Sequence, residues 1–297
     1  MKRLVLFFLL LILSAGLDAQ RMNFTVSNSI SAFERPVPPR KEHLRDFPEK
    51  TLRVVSMGDN TMTDLFFVNA VKKGWFISPF EICSPKEFET LKRDSSCYFL
   101  TRIIQLHSKS GKPVMECMAL LKGSISCKEG IENMPVIMTL PMLPMDDSEG
   151  RIFPYLHSYV SIFQYHIQSI IDRTFYAYLG MNRYSAIPKE FESYRILMAR
   201  EDLPADMTQE TLTKIMGTNA VLCGTDEIAK ALNERAENTL VSLVVAPTEP
   251  ERKTFAYKML ISAKTGELAF YAKHRLPSKK GSGFRLEDLN RIGPSFR

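Results

Sequence analysis

The chain has 297 residues, 45% of them hydrophobic and 24% charged, with a formal net charge of +6. That composition is globular, which excludes a disordered or fibrous chain, and the length suffices for two ordinary domains. The positive excess is mild and spread along the sequence, which favours acidic surfaces or partners and by itself says nothing specific about nucleic acid.

Residues 1–19 read MKRLVLFFLLLILSAGLDA. Lys2 and Arg3 precede an apolar run from Leu4 to Leu13, and Ala19 offers a small residue for cleavage. This is the layout of a secretory signal peptide. The run is shorter than the roughly 20 residues a membrane span needs. The expectation is cleavage after Ala19, a periplasmic or secreted address, and no transmembrane segment afterwards.

Residues 20–50 mix charges with prolines at 36, 38, 39 and 48 and read as an extended lead-in. Asn23-Phe24-Thr25 is a formal glycosylation triplet. Order is expected from Thr51. A strand covers Leu52–Met57, and Gly58-Asp59-Asn60-Thr61 supplies turn and cap residues. A helix follows over Met62–Lys73, with apolar residues at 65, 66, 68 and 71 and a stop at Gly74. Trp75-Phe76-Ile77 reads as a short strand. Ser84-Pro85-Lys86-Glu87 is a capping box with proline at the first helical position, and its helix runs to about Lys92. Cys97–His107 and Pro113–Leu121 read as a hairpin around SKSGK.

Pro135–Met145 is apolar but broken by prolines. It reads either as an edge strand or as an exposed segment that a partner recognises. Arg151–Met181 carries apolar and aromatic residues at helical spacing, starts near Ile152 or Phe153 and stops at Gly180. Its expected role is packing between domains, because apolar stripes at this period are normally core.

The pattern then returns. Tyr194–Ala199 is a strand, Thr208–Met216 an amphipathic helix ending at Gly217, and Asn219–Leu222 a short strand. Cys223-Gly224-Thr225-Asp226-Glu227 opens a capped helix to about Arg235. Thr239–Ala246, Thr254–Ser262 and Glu267–His274 are strands. Both halves give the order βαβαββ, so the expected architecture is α/β, with α+β open: a tandem duplication joined by an aromatic helix. The divisions are a signal peptide at 1–19, a lead-in at 20–50, a first module at 51–150, a connector at 151–187, a second module at 188–275 and a basic tail at 276–297.

Five cysteines, at 83, 97, 117, 127 and 223, show no CxxC spacing. A zinc site is disfavoured, and a disulfide from Cys97 to Cys117 or Cys127 stays open. Cys83 and Cys223 occupy corresponding strand-to-helix corners. A thiol at a helix N-terminus can be reactive, but the recurrence assigns it to architecture. Cys223 reads as a buried small hydrophobe. The five histidines are dispersed, no phosphate, dinucleotide or nucleophile-elbow motif occurs, and neither metal nor cofactor is expected. Asp59 and Asn60, with Glu201 and Asp202, follow the first strand of each copy, where α/β sheets often hold ligands.

In layout the module resembles small α/β modules of envelope assembly proteins, such as the N-terminal domain of the Tol–Pal system's TolB. The resemblance implies an envelope binding role and carries no site residue. The leading expectation is a non-enzymatic envelope scaffold with protein partners. The alternatives are a periplasmic protein that closes its two modules on a small ligand, and a hydrolase using Asp59, Asp202 or Cys83.

Overall fold

The computed structural model describes residues 23–26, 44, 46–58, 61–107, 110–127, 130–131, 133–145, 150–173, 175–250, 252, 254–277 and 281–293, with 23–26 and 178 as backbone only. The signal-peptide stretch, Asp59 and Asn60 lie outside them.

A short strand, β1 (Asn23–Val26), comes first, within the stretch expected to be lead-in. β2 (Leu52–Val55) leads to helix α1 (Met62–Gly74). Thr61 caps the helix by accepting from the Asp64 backbone N–H at 3.2 Å, and Lys72 and Lys73 complement its C-terminal dipole. Its buried side is Asp64, Phe67, Ala70 and Val71. Leu65 and Phe66, expected in the apolar stripe, face solvent instead.

The strand expected at Trp75–Ile77 is a correction. Trp75 caps α1, and its indole N–H donates to Ser78 Oγ at 3.1 Å. The Gln164 side chain accepts from Phe76 N–H and donates to Gly74 C=O, both at 2.8 Å. Those backbone groups are therefore taken by a side chain, and the strand, β3 (Phe80–Cys83), begins after Pro79. α2 (Pro85–Leu91) starts on the expected capping box, with Ser84 N–H donating to Glu87 at 2.7 Å. α2 sets Phe88 edge-on against Phe99 of β4 (Tyr98–Leu106). β5 (Pro113–Lys122) and β6 (Val136–Pro144) complete the sheet. The order is β3-β2-β4-β5-β6, with β1 paired to β4.

β6 settles the Pro/Met segment as an edge strand. Met138, Leu140 and Met142 are buried, so an exposed recognition segment does not survive.

α3 (Leu156–Asp172) follows a single 3-10 turn at Phe153–Tyr155, which holds Pro154. It ends earlier than Gly180 because Arg173 turns to extended backbone. A short α4 (Tyr176–Leu179) then reaches the glycine. Tyr155, Tyr159 and Phe163 are buried, as expected of a packing helix. Tyr159 donates to Pro141 C=O of β6 at 2.5 Å, and Tyr155 donates to Ser242 C=O in the second module at 2.6 Å. α3 thus ties both modules by their backbones.

The second module repeats the first: β7 (Arg195–Ala199), α5 (Gln209–Met216), β8 (Ala220–Cys223), α6 (Thr225–Asn233), β9 (Thr239–Val245), β10 (Thr254–Ser262) and β11 (Leu268–Leu276). The sheet order β11-β10-β9-β7-β8 mirrors the first. β2 and β7 are each parallel to two neighbours, and the β4–β5–β6 and β9–β10–β11 pairings are antiparallel. The α/β fold in two similar modules is therefore seen, each with one strand more than βαβαββ, namely β6 and β11.

Alternate residues of the second sheet serve two cores. Ile196, Met198, Leu240, Leu260 and Phe270 pack with Leu212 and Met216 of α5. Leu197, Val241, Leu243, Met259 and Tyr271 join the core that holds the first module and α3. The two modules therefore share one interior.

Within the basic tail, residues 281–293 are folded against the second module. Phe284, Leu289 and Ile292 are fully buried around α7 (Leu286–Ile292). Asp288 pairs there with Lys258 of β10.

Candidate functional site

Of the residues singled out in the sequence, Glu201 is exposed and Asp202 is completely buried in the turn after β7. Asp202 accepts from Arg151 Nη2 at 2.7 Å, from Ser242 Oγ at 2.6 Å and from Val244 N–H at 3.1 Å. Burial raises its pKa, and Arg151 opposes the rise. A carboxylate so enclosed fastens the β7 turn to β9 and to the residue that leads into α3.

The first module has a related arrangement that the sequence did not disclose. Asp64, in the first turn of α1, accepts from Ser56 Oγ at 2.6 Å, Met57 N–H at 3.0 Å and Gly58 N–H at 3.3 Å. Arg102 of β4 approaches it at 3.4 Å and also pairs with Glu116 of β5 at 2.9 Å. An Asp three places after the threonine cap was the available signal, but it reads equally as dipole complementation.

The corner cysteines are not activated. Burial pushes both the Cys83 and the Cys223 thiol up to about 11, aided by Glu87 and Glu227 respectively. All five cysteines are free thiols, so the disulfide left open for Cys97 does not form here. Cys223 is half-exposed rather than buried, with Sγ 3.6 Å from Met198 C=O.

A cleft lined by the loops after β2 and β7 was expected of a protein that closes on a ligand. The space between the modules holds α3 and the shared core. A groove between them does occur at the hairpin ends, lined by Lys112, Val114 and Met145 of one module and Pro247, Glu249 and Thr254 of the other. Its volume is about 200 Å³, below the roughly 300–1,000 Å³ of most ligand pockets. Beside it, His107 Nε2 lies 2.8 Å from Arg252 C=O and ties the hairpins together. Among the described residues no cluster of His, Cys, Asp and Glu could hold a metal, and no helix is long and apolar enough to cross a membrane.

What remains is a surface. Asp64 is drawn inward by Ser56, Gly58 and Arg102, and this sets the rotation of α1. The turn carrying 64, 67 and 71 faces the core, so Met62, Leu65 and Phe66 point out, 56%, 54% and 38% exposed. Phe66 stacks on Phe153 at 4.9 Å, extending the apolar area to the entrance of α3. The repeated helix α5 exposes Gln209, Glu210, Thr211 and Lys214 in its place. The two copies of one helix thus differ in what they show to solvent.

Comparison with protein-family models, curated proteins and solved structures gives no match to this chain. The likeness to envelope modules stands on layout alone.

Proposed function

We propose that the protein is a non-enzymatic component of the cell envelope, secreted or periplasmic, that binds another protein and acts as a scaffold. The observation that carries this reading is the solvent-facing stripe Met62, Leu65 and Phe66 on α1. Three large apolar residues at helical spacing, extended by Phe153, form the kind of patch that marks an interaction site. The polar counterpart on α5 shows that the fold does not require apolar residues there. The buried charges at Asp64 and Asp202 are engaged in holding turns and strands, consistent with a rigid support for such a surface.

The test is mild cross-linking of the tagged protein in its native envelope, followed by mass spectrometry. A few partners in fixed ratio, reduced at least tenfold by Leu65→Asp with Phe66→Asp, are expected. Recovery of the bare protein, or partners indifferent to both substitutions, would overturn the reading.

A further inference from the structure

α3 and the turn before it half-expose Phe153, Pro154 and His157. α1 borders this strip. Phe66 stacks on Phe153, and Gly74 passes so close to His157 that a β-carbon there would sit 3.0 Å from Nδ1. α6 borders it too, packing against the Phe153–Tyr155 turn. Arg235 follows α6 and acts on the same imidazole. Burial, then Arg235 and Lys73, hold the His157 pKa below its ordinary value. Lys73, His157 and Arg235 thus come together from the first module, α3 and the second module.

The charge on this face has one sign. α1 exposes Lys72 and Lys73, and its single acid, Asp64, is buried. The acids beside Arg235 in sequence are engaged elsewhere, Glu234 with Lys230 at 4.0 Å and Glu237 with Lys264 at 2.5 Å. Lys72, Lys73 and Arg235 have no ion-pair partner among the described residues. Apolar side chains flank the lysines, Leu65 and Phe66 on one side and Phe76, 80% exposed, on the other. Helices satisfy their backbone groups internally, so strand addition has nothing to pair with here, and recognition falls to side chains spaced three and four apart. A second helix laid along α1 presents side chains at that spacing. The half-buried Phe153 and His157 suit the ridge of such a helix better than a flat lipid surface.

We propose that α1, Phe153 and the Lys73–His157–Arg235 cluster seat an acidic amphipathic helix of a partner protein. Its apolar side chains lie against Met62, Leu65 and Phe66, and its carboxylates face Lys73 and Arg235. The sign follows from complementarity, because a basic helix would meet three uncompensated cations. Charges of this kind set partner choice and association rate more than raw affinity. The inference rests on α1 being an interaction surface and adds the chemical class of what binds there.

The experiment places a photo-activated cross-linker at residue 65 or residue 76 of the full chain in its native envelope and sequences the adduct peptides. Adducts from both positions are expected on one partner, within about 20 residues of each other, a helix length of about 30 Å. That segment should carry net negative charge. Lys73→Glu with Arg235→Glu should lower both adducts at least tenfold. In isolated envelopes, raising salt from about 0.05 M to about 0.5 M should lower them at least threefold with neither residue substituted, since exposed charges are screened. The salt measurement keeps the proposal testable if the charge-reversed chain fails to fold. Adducts that keep their yield in either measurement would overturn the acidic partner and leave α1 as a binding surface. A segment of net positive charge, or adducts to lipid alone, would overturn it too. No adduct from residue 65 would remove the surface and this inference together.

Discussion

Ser56 donates its hydroxyl hydrogen to Asp64 Oδ2 at 2.6 Å, and this bond anchors the first turn of α1 under the end of β2. With Met57 N–H, Gly58 N–H and Arg102 it draws the carboxylate inward. The helix face seen by solvent follows from that rotation.

Asp64→Ala removes the anchor and leaves Arg102 with Glu116 as its carboxylate partner. Both Asp64 and Arg102 are 3% exposed, and breaking a buried pair by deleting one member costs about 3 kcal/mol or more. The midpoint of chemical denaturation should fall accordingly. A loss below about 1 kcal/mol would show that Asp64 does not anchor the turn.

Arg151→Met tests the corresponding lock in the second module. It leaves the fully buried Asp202 carboxylate with Ser242 and Val244 alone. The expected loss is about 3 kcal/mol, and Asp202→Asn in the Arg151→Met background should recover part of it by removing the unpaired charge. An additive double variant, with no recovery, would contradict the coupling.

Tyr159→Phe and Tyr155→Phe each remove one bond to a strand backbone, from α3 and from the turn that leads into it. Each should cost about 1–2 kcal/mol in denaturation experiments. If both are neutral, α3 is held by apolar packing and not by these two bonds.

His166 supplies a pH dependence. It is 1% exposed, and burial, with Arg183 nearby, lowers its pKa to about 3. Unfolding returns it toward 6.5, so below that pH the unfolded chain takes up a proton that the folded protein refuses. This contribution to stability is therefore complete above pH 6.5 and lost as pH falls toward 3, at about 1.4 kcal/mol per unit within that window. His166→Gln should flatten the slope of stability against pH between 6 and 4. An unchanged slope would show that His166 is not its source.

The thiols should be quiet in the folded protein. A pKa raised from 9.0 to about 11 leaves Cys83 with about 100-fold less thiolate than an unburied thiol. Alkylation at pH 8 should mark Cys223 slowly and Cys83 more slowly still, with five thiols reacting after denaturation. Fast labelling of Cys83 in the native state would reopen a catalytic thiol.

Much of the fold was legible because its signals are local. The Ser84–Glu87 box and the Gly217 stop each mark their element within a few residues, and the recurring order of strands and helices exposed the duplication. What was not legible depends on distant partners. Trp75–Ile77 looks like a strand until Gln164, 88 residues from Phe76, takes its backbone groups. Asp202 was placed in the right loop, but its burial rests on Arg151 and Ser242, 51 and 40 positions away. Leu65 and Phe66 were read into the buried stripe of α1 because apolar spacing alone does not show that Asp64 is drawn inward, by Ser56, Met57 and Gly58 in the turn before the helix and by Arg102, 38 positions on. The surface that carries the proposed function was hidden for the same reason.

The most direct test of that surface places a photo-activated cross-linker at residue 65 of α1 or at residue 210 of α5 in the native envelope. The account predicts a discrete adduct from position 65 and none from 210. Equal labelling from both, or none from 65, would contradict it.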